Sequence, residues 1–214
     1  MDRPQPVSQE LRTDLENLEK LNRYFGSHAL VLRFLQRWVR SGDSIHIVDL
    51  CTGFGDIPRR IVNWCRRKEV PVRITAVDSQ ASTLALAERD GYPELNFVQA
   101  DVFQFEEPAD FVFCSLALHH FPDEKACDLV RRMKTMASRA ALISDLERTD
   151  LAIFGIQLLT ATLFREPMTR HDARLSIRRA FSFREMHRLA EEAGWERFGH
   201  ARFPVCRQAI WVEK

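Results

Sequence analysis

The sequence predicts an α/β protein: a doubly wound, mostly parallel seven-stranded sheet with an antiparallel last strand, plus an N-terminal helical cap. Three observations carry that expectation. From residue 45 onward, short β-branched runs alternate with helical patterns, the signature of right-handed βαβ crossovers. Before residue 45 the period is helical only. Near the C-terminus two strand-like runs are separated by a short turn, so the last strand must reverse.

Residues 8–24 carry Leu11, Leu15, Leu18 and Leu21 in one helical stripe, and residues 28–40 carry Leu32, Leu35 and Val39 in another. Gly26-Ser27 separates the two. IHIVDL (45–50) is the first strand, followed by a glycine loop and a helix from Pro58 to Lys68. VRITAVD (72–78), LNFVQAD (95–101), ADFVFCSLAL (109–118) and AALISDL (140–146) are the next four strands, with helices at 81–91 and 123–137 between them. An apolar helix over 150–164, a polar loop over 165–180 and a helix over 182–193 follow. The hairpin-like pair at 195–204 and 206–214 closes the chain. The expected organisation is a helical cap at 1–44 and a ligand-binding domain at 45–214, with a lid insertion around 147–181.

Composition excludes several classes. Thirty-one basic and thirty acidic residues leave a net charge of +1, so no global pull toward nucleic acid or anionic lipid is expected. The N-terminus lacks the apolar core of a secretory signal, and no run reaches the ~18 apolar residues of a membrane span. Five widely spaced cysteines without a CxxC fit free thiols in a reducing cytoplasm, and no metal site is expected.

The first strand runs into VDLCTGFGDIP, residues 48–58. Gly53 and Gly55 allow close backbone approach to a ligand at the start of a helix. Pro58 stands where a dinucleotide loop would place its third glycine. Asp49, Asp78 and Asp101 end the first three strands and the loop adds Asp56. Four carboxylates would oppose a pyrophosphate, and no lysine lies in the loop for a triphosphate. A ligand that is cationic overall suits this ring, and S-adenosylmethionine, with its sulfonium and ammonium, is such a ligand.

These motifs resemble those of class I S-adenosylmethionine-dependent methyltransferases, over roughly residues 45–214. The family's D/E-x-G-x-G-x-G motif reads here Asp49-Leu50-Cys51-Thr52-Gly53-Phe54-Gly55, with Cys51 in place of the first glycine. The resemblance implies that Asp49 and the Gly53 backbone hold the amino-acid end of the cofactor and that Asp78 takes the ribose hydroxyls. By the same resemblance Ser79 and Gln80 border the adenine, Asp101 and Val102 meet its edge, and Ser115 and Leu116 line the methionine side. Asp56 either faces the cofactor or caps the helix that follows. The layout is also similar to bacterial small-molecule methyltransferases of the quinone-biosynthesis-like group.

Methyl transfer to a neutral oxygen acid needs a base, and histidine titrates in the right range. His119-His120 directly follows the fourth strand, so one of them is the candidate base, against a structural role as helix cap or packing group. Tyr24, Phe25 and His28 at the bend of the helical pair, Asp145 and Arg148 after the fifth strand, and Arg165, His171, Arg174 and Arg178 in the expected polar loop are candidates to shape the acceptor pocket. Phe25 also fits simple burial of the stripe, and the arginines also fit a solvated face. The expected reaction is O-methylation of a small, mainly apolar or aromatic acceptor: a phenol, hydroxyl or carboxylate. Ring-carbon methylation of a quinone precursor is the near rival; RNA methylation and a non-catalytic cofactor-binding protein are the distant ones. A monomer or homodimer without nucleic-acid partners is expected.

Overall fold

The computed structural model describes residues 6–88, 91–163 and 167–214, and the side chains within those segments except at 159, 161–163 and 167–169. Ser8 starts the first helix by accepting the Leu11 N–H on its hydroxyl (3.1 Å). Helix α1 (Gln9–Tyr24) and helix α2 (Ser27–Trp38) meet at Gly26. Five strands and three helices follow: β1 (Ile45–Leu50), α3 (Asp56–Arg67), β2 (Val72–Asp78), α4 (Ala81–Ala87), β3 (Leu95–Gln99), β4 (Ala109–Ser115), α5 (Asp123–Met136) and β5 (Ala137–Leu146). Helices α6 (Asp150–Leu163), α7 (Pro167–Arg179) and α8 (Phe183–Glu192) lead to the terminal hairpin β6 (Phe198–Phe203) and β7 (Arg207–Glu213).

The strands form one sheet in the order β3-β2-β1-β4-β5-β7-β6. Strands β1 to β5 are parallel, and β7 runs antiparallel between β5 and β6. Strand order reverses between β1 and β4, which opens a crevice at their carboxyl ends. Both faces are covered, so the central strands are apolar at odd and even positions alike. Val48, Leu50, Val112 and Ile143 pack with Leu129, Met133, Met186 and Leu189 of α5 and α8 on one face. Ile45, Ile47, Phe111, Phe113 and Leu142 pack with Leu35, Trp38, Ile61 and Val62 of α2 and α3 on the other.

The region expected as a polar loop at 165–180 is instead largely helix α7. Its Arg and His content suggested a solvated loop, yet Ala173, Ile177 and Ala180 recur at helical spacing, and Ile177 and Ala180 are buried. Pro167 stands at the helix's first position, where its missing N–H costs nothing. Arg165 lies outside the described residues.

Helix α2 is part of the core layer. Trp38 stacks on Phe111 with centroids 5.6 Å apart and planes 11° apart. Arg139 of β5 donates to the Trp38 carbonyl (2.8 Å) and to Asp43 (3.0 Å), tying the helical pair to the sheet. Trp38→Ala should therefore destabilise the whole molecule by about 3–5 kcal/mol. Urea unfolding should show one transition at a lower midpoint, whereas an unchanged midpoint would contradict this coupling.

Candidate functional site

The crevice is built first by the loop after β1. Cys51 has φ 59°, Gly53 55° and Gly55 69°. A left-handed conformation costs a non-glycine residue about 1–2 kcal/mol. Cys51 thus adopts the backbone that a glycine takes freely, and the substitution in the motif leaves the turn's shape intact. The turn is pinned from several sides. The Thr52 N–H donates to Val77 O (2.9 Å) and the Gly55 N–H to Thr52 O (3.0 Å). The Gly53 N–H donates to Asp78 Oδ2 (2.8 Å), the Thr52 hydroxyl to Asp49 Oδ2 (2.7 Å), and Arg59 Nη1 to Phe54 O (2.7 Å). A Cβ on Gly53 would meet nothing within 4 Å, so open space lies over it.

Asp49 is almost fully buried, and its Oδ1 has no hydrogen-bond partner among the described residues. Burial pushes its carboxyl up to about 7, the Thr52 hydrogen bond opposes this, and the nearby carboxylates of Asp56 and Asp78 add to it. A buried acceptor left unsatisfied beside a cavity is a place for a cationic N–H donor.

The second half of the site comes from β4 and β5. Ser144 and Ser115 share a hydrogen bond (3.1 Å), and Leu116 turns left-handed (φ 56°) as the chain leaves β4. A 3-10 turn, Leu118–His120, then brings His119 under cover. His119 is 4 % exposed. Its Nδ1 lies 2.7 Å from Asp145 Oδ1, and its backbone N–H donates to Asp145 Oδ2 (3.1 Å). Burial alone would raise the Asp145 carboxyl, but the charge and hydrogen bond of His119 and the Leu146 and His119 N–H groups outweigh it and hold it below the usual range. An ionised Asp145 can only accept, so Nδ1 carries a proton. Nε2 is buried and has no hydrogen-bond partner among the described residues. The His120 ring lies against His119 with centroids 4.3 Å apart.

These groups line one cavity of ≈490 Å³. It gathers Asp49, Cys51, Gly53, Asp56, Ser115, Leu116, His119 and His120 from the sequence-derived candidates. The remaining wall is mostly apolar: Leu15, Leu18, Leu21 and Phe25 from α1, Ile156 from α6 and Ile177 from α7. Of the five non-glycine residues with positive φ among the described residues, four (Cys51, Leu116, Val205 and Cys206) line this cavity. Such strain persists only where the surroundings over-determine it, and it concentrates at working sites.

The candidates for the far side of the crevice sit at the neighbouring strand ends, outside this wall. Asp78 Oδ1 accepts the Gln80 N–H (2.9 Å) while Oδ2 accepts Gly53. Ser79 is exposed, Asp101 is exposed with Oδ1 accepting the Phe103 N–H (2.9 Å), and the Val102 side chain is buried in the core. Gly55 is the N-cap of α3.

The acceptor candidates fall in different places. Tyr24 is 76 % exposed and turned away; its neighbour Phe25, continuing the Leu18-Leu21 stripe, faces the cavity instead. His28 Nε2 lies 2.7 Å from Asp56 Oδ2, which also accepts from Asn22 (3.1 Å). That pair ties α1 and α2 to the glycine loop. Arg148 forms a two-pronged bond to Glu185 (2.7 and 2.8 Å) and donates to Ala180 O (2.9 Å), anchoring α8. His171, Arg174 and Arg178 line a separate cavity, because α7 presents Ala173, Ser176 and Ile177 to the main one. Two site features escaped the sequence reading. The role of Asp145 as orienter of His119 was hinted at by its place at the end of β5. Arg207, which lines the cavity from β7, gave no signal.

Residues 47–139 match a family described as a methyltransferase domain. No curated protein sequence matches the chain. Among solved structures, the chain is similar to human N-acetylserotonin methyltransferase in complex with SAM, at 17% identity and TM-score 0.67 over 95% of this chain and 55% of that one. It is similar to magnesium protoporphyrin IX methyltransferase from Synechocystis PCC 6803 with bound SAH, at 14% identity and TM-score 0.62 over 99% and 88%. It is also similar to a SAM-dependent methyltransferase from Aquifex aeolicus, at 14% identity and TM-score 0.65 over 94% and 96%. The chain thus spans little more than half the length of the human protein. At these identities the likeness is one of fold.

The loop's dependence on close packing is directly testable. A Cβ on Gly55 would meet Phe97 ring carbons at 2.9 Å and Arg59 Nη1 at 3.2 Å, with φ at +69°. Gly55→Ala should cost about 1–3 kcal/mol, read as a lower urea midpoint.

Proposed function

We propose, from the match of residues 47–139 to a methyltransferase domain, that the protein moves the methyl group of S-adenosylmethionine to oxygen on a small, mainly apolar or aromatic acceptor. The observation that carries this reading is the buried His119–Asp145 pair, whose histidine lines an apolar cavity beside the glycine loop.

The residues present suit the cofactor. Open space over Gly53 and the unsatisfied Asp49 Oδ1 fit a cationic amino-acid end. Asp78 suits ribose hydroxyls, since each carboxylate oxygen retains a lone pair beyond its amide bond. Cys51, Ser115 and Leu116 are the residues expected along the methionine, with Ser79, Asp101 and Val102 toward the adenine. When bound, S-adenosylmethionine supplies the electrophilic methyl group. The protein's own share is to position, to exclude water and to take a proton. His119 Nε2 accepts the hydroxyl proton as the oxygen gains its methyl, and Asp145 stabilises the resulting imidazolium and keeps the ring in register. The helical pair at 1–44 acts as cap and the 147–181 segment as lid, a role supported by α1, α6 and α7 walling the cavity. The names of the similar structures, N-acetylserotonin and magnesium protoporphyrin IX methyltransferases, support a small-molecule acceptor. No helix among the described residues is long and apolar enough to cross a membrane.

Transfer of labelled methyl groups to a panel of phenols, quinols and hydroxy acids tests the reading; failure to bind S-adenosylmethionine would sink it. His119→Asn should lower kcat by about 10²–10⁴-fold with S-adenosylhomocysteine affinity kept, and Asp145→Asn should also lower kcat by freeing the wrong tautomer. A second expectation concerns pH. Asp49 is raised to about 7, so it is largely neutral at pH 6 and a carboxylate at pH 8. A cationic ligand prefers the carboxylate, so calorimetric affinity for S-adenosylmethionine should rise with pH, by up to about ten-fold per unit below 7, and then level off. Asp49→Asn should abolish that slope.

A further inference from the structure

We propose that Arg207 is the specificity residue of this cavity and receives a carboxylate on the acceptor, so that the acceptor is an aromatic or apolar hydroxy acid. This deepens the reading of the cavity as an acceptor site and rests on it.

Arg207 opens β7 opposite Leu146, and its side chain is 6 % exposed. Nε donates to Ser27 Oγ of α2 (3.1 Å). That is its one side-chain hydrogen bond, and no carboxylate among the described residues forms an ion pair with it. Burial draws its pKa down to about 10, with Asp145 and Cys206 acting the other way, so the guanidinium is still charged at neutral pH. A buried cation without a paired anion is costly. Asp145, whose charge acts on it, is hydrogen-bonded to His119. The planar fork of nitrogens matches a carboxylate, and the surrounding wall of Leu15, Leu18, Phe25, Leu146, Ile156 and Ile177 suits an apolar body behind it.

The chain also strains itself to deliver this group. The hairpin turn before Arg207 holds Val205 at φ 61° and Cys206 at φ 54°. Two consecutive left-handed side-chain-bearing residues, one of them β-branched, are strained. Both line the cavity, and the Glu147 N–H fixes the turn by donating to Cys206 O (2.8 Å). Position decides between two sources of the carboxylate. The cofactor carries one of its own, but Arg207 is three strands from β1 in the sheet order, about 14 Å at ordinary strand spacing. The Asp145 carboxylate that holds His119 also acts on the guanidinium, which sets Arg207 on the proposed base's side of the cavity, where the acceptor belongs in this reading.

Calorimetry on the full chain with 4-hydroxybenzoate and 4-hydroxycinnamate, each against its primary amide, tests this. The acids should bind about ten- to hundred-fold tighter than the amides. Arg207→Gln should erase that preference while leaving S-adenosylhomocysteine affinity intact, and Arg207→Lys should keep part of it. The melting temperature of Arg207→Gln should not fall, since a buried unpaired charge is removed; a large fall would mark a structural role and overturn the proposal. Equal binding of acid and amide, no acid bound at millimolar concentration, or a preference that survives in Arg207→Gln would also overturn it. Loss of S-adenosylhomocysteine affinity in Arg207→Gln would assign the guanidinium to the cofactor's carboxylate and overturn it too. The acid titrations run without cofactor, so they read Arg207 even if the protein bound no S-adenosylhomocysteine, an outcome that would sink the methyltransferase reading by itself.

Discussion

Ionisable groups taken out of water at the carboxyl edge of the sheet organise the rest of this molecule. A buried carboxylate must find N–H donors or a cation, or give up its charge. Asp78 finds two backbone amides, at Gly53 and Gln80, and in doing so fixes the glycine loop. Asp145 finds the His119 ring and two amides, and so fixes the tautomer of a buried imidazole. Asp56 takes His28 and Asn22, which brings the N-terminal helices down over the crevice. Asp49 finds only Thr52 among the described residues, and burial pushes its carboxyl up to about 7.

The same edge concentrates backbone strain. Parallel strands end together there, and each must turn sharply without intruding on the crevice. Cys51, Leu116, Val205 and Cys206 accept left-handed backbone at the ends of β1 and β4 and between β6 and β7. The cost is borne by two well-packed layers on either face of the sheet. The cavity is therefore an open space with rigid rims, and its polar groups stand at defined points on an apolar wall.

The local patterns in the chain were informative where one element settles the matter alone. Strand β2 could be bounded to the residue, because VRITAVD is both β-branched and flanked by breakers. The His119 candidacy followed from its place after β4. Helix α7 was misjudged because its charged residues outnumber the three-residue stripe that faces the cavity, and a stripe has meaning only once something lies opposite it.

The sequence by itself determined the alternation of elements, the glycine loop, the ring of strand-end acids and the pair of histidines, since each depends on neighbours a few residues apart. Tertiary structure alone decided which of these groups meet. Asp145 reaches His119 across 26 residues, and Arg207 reaches Ser27 across 180. Burial, and with it the raised carboxyl of Asp49 and the lowered guanidinium of Arg207, is a property of the packed layers and not of any segment. Helical phase did the remaining sorting: a turn of about 100° per residue puts Phe25 in the cavity and Tyr24 in water.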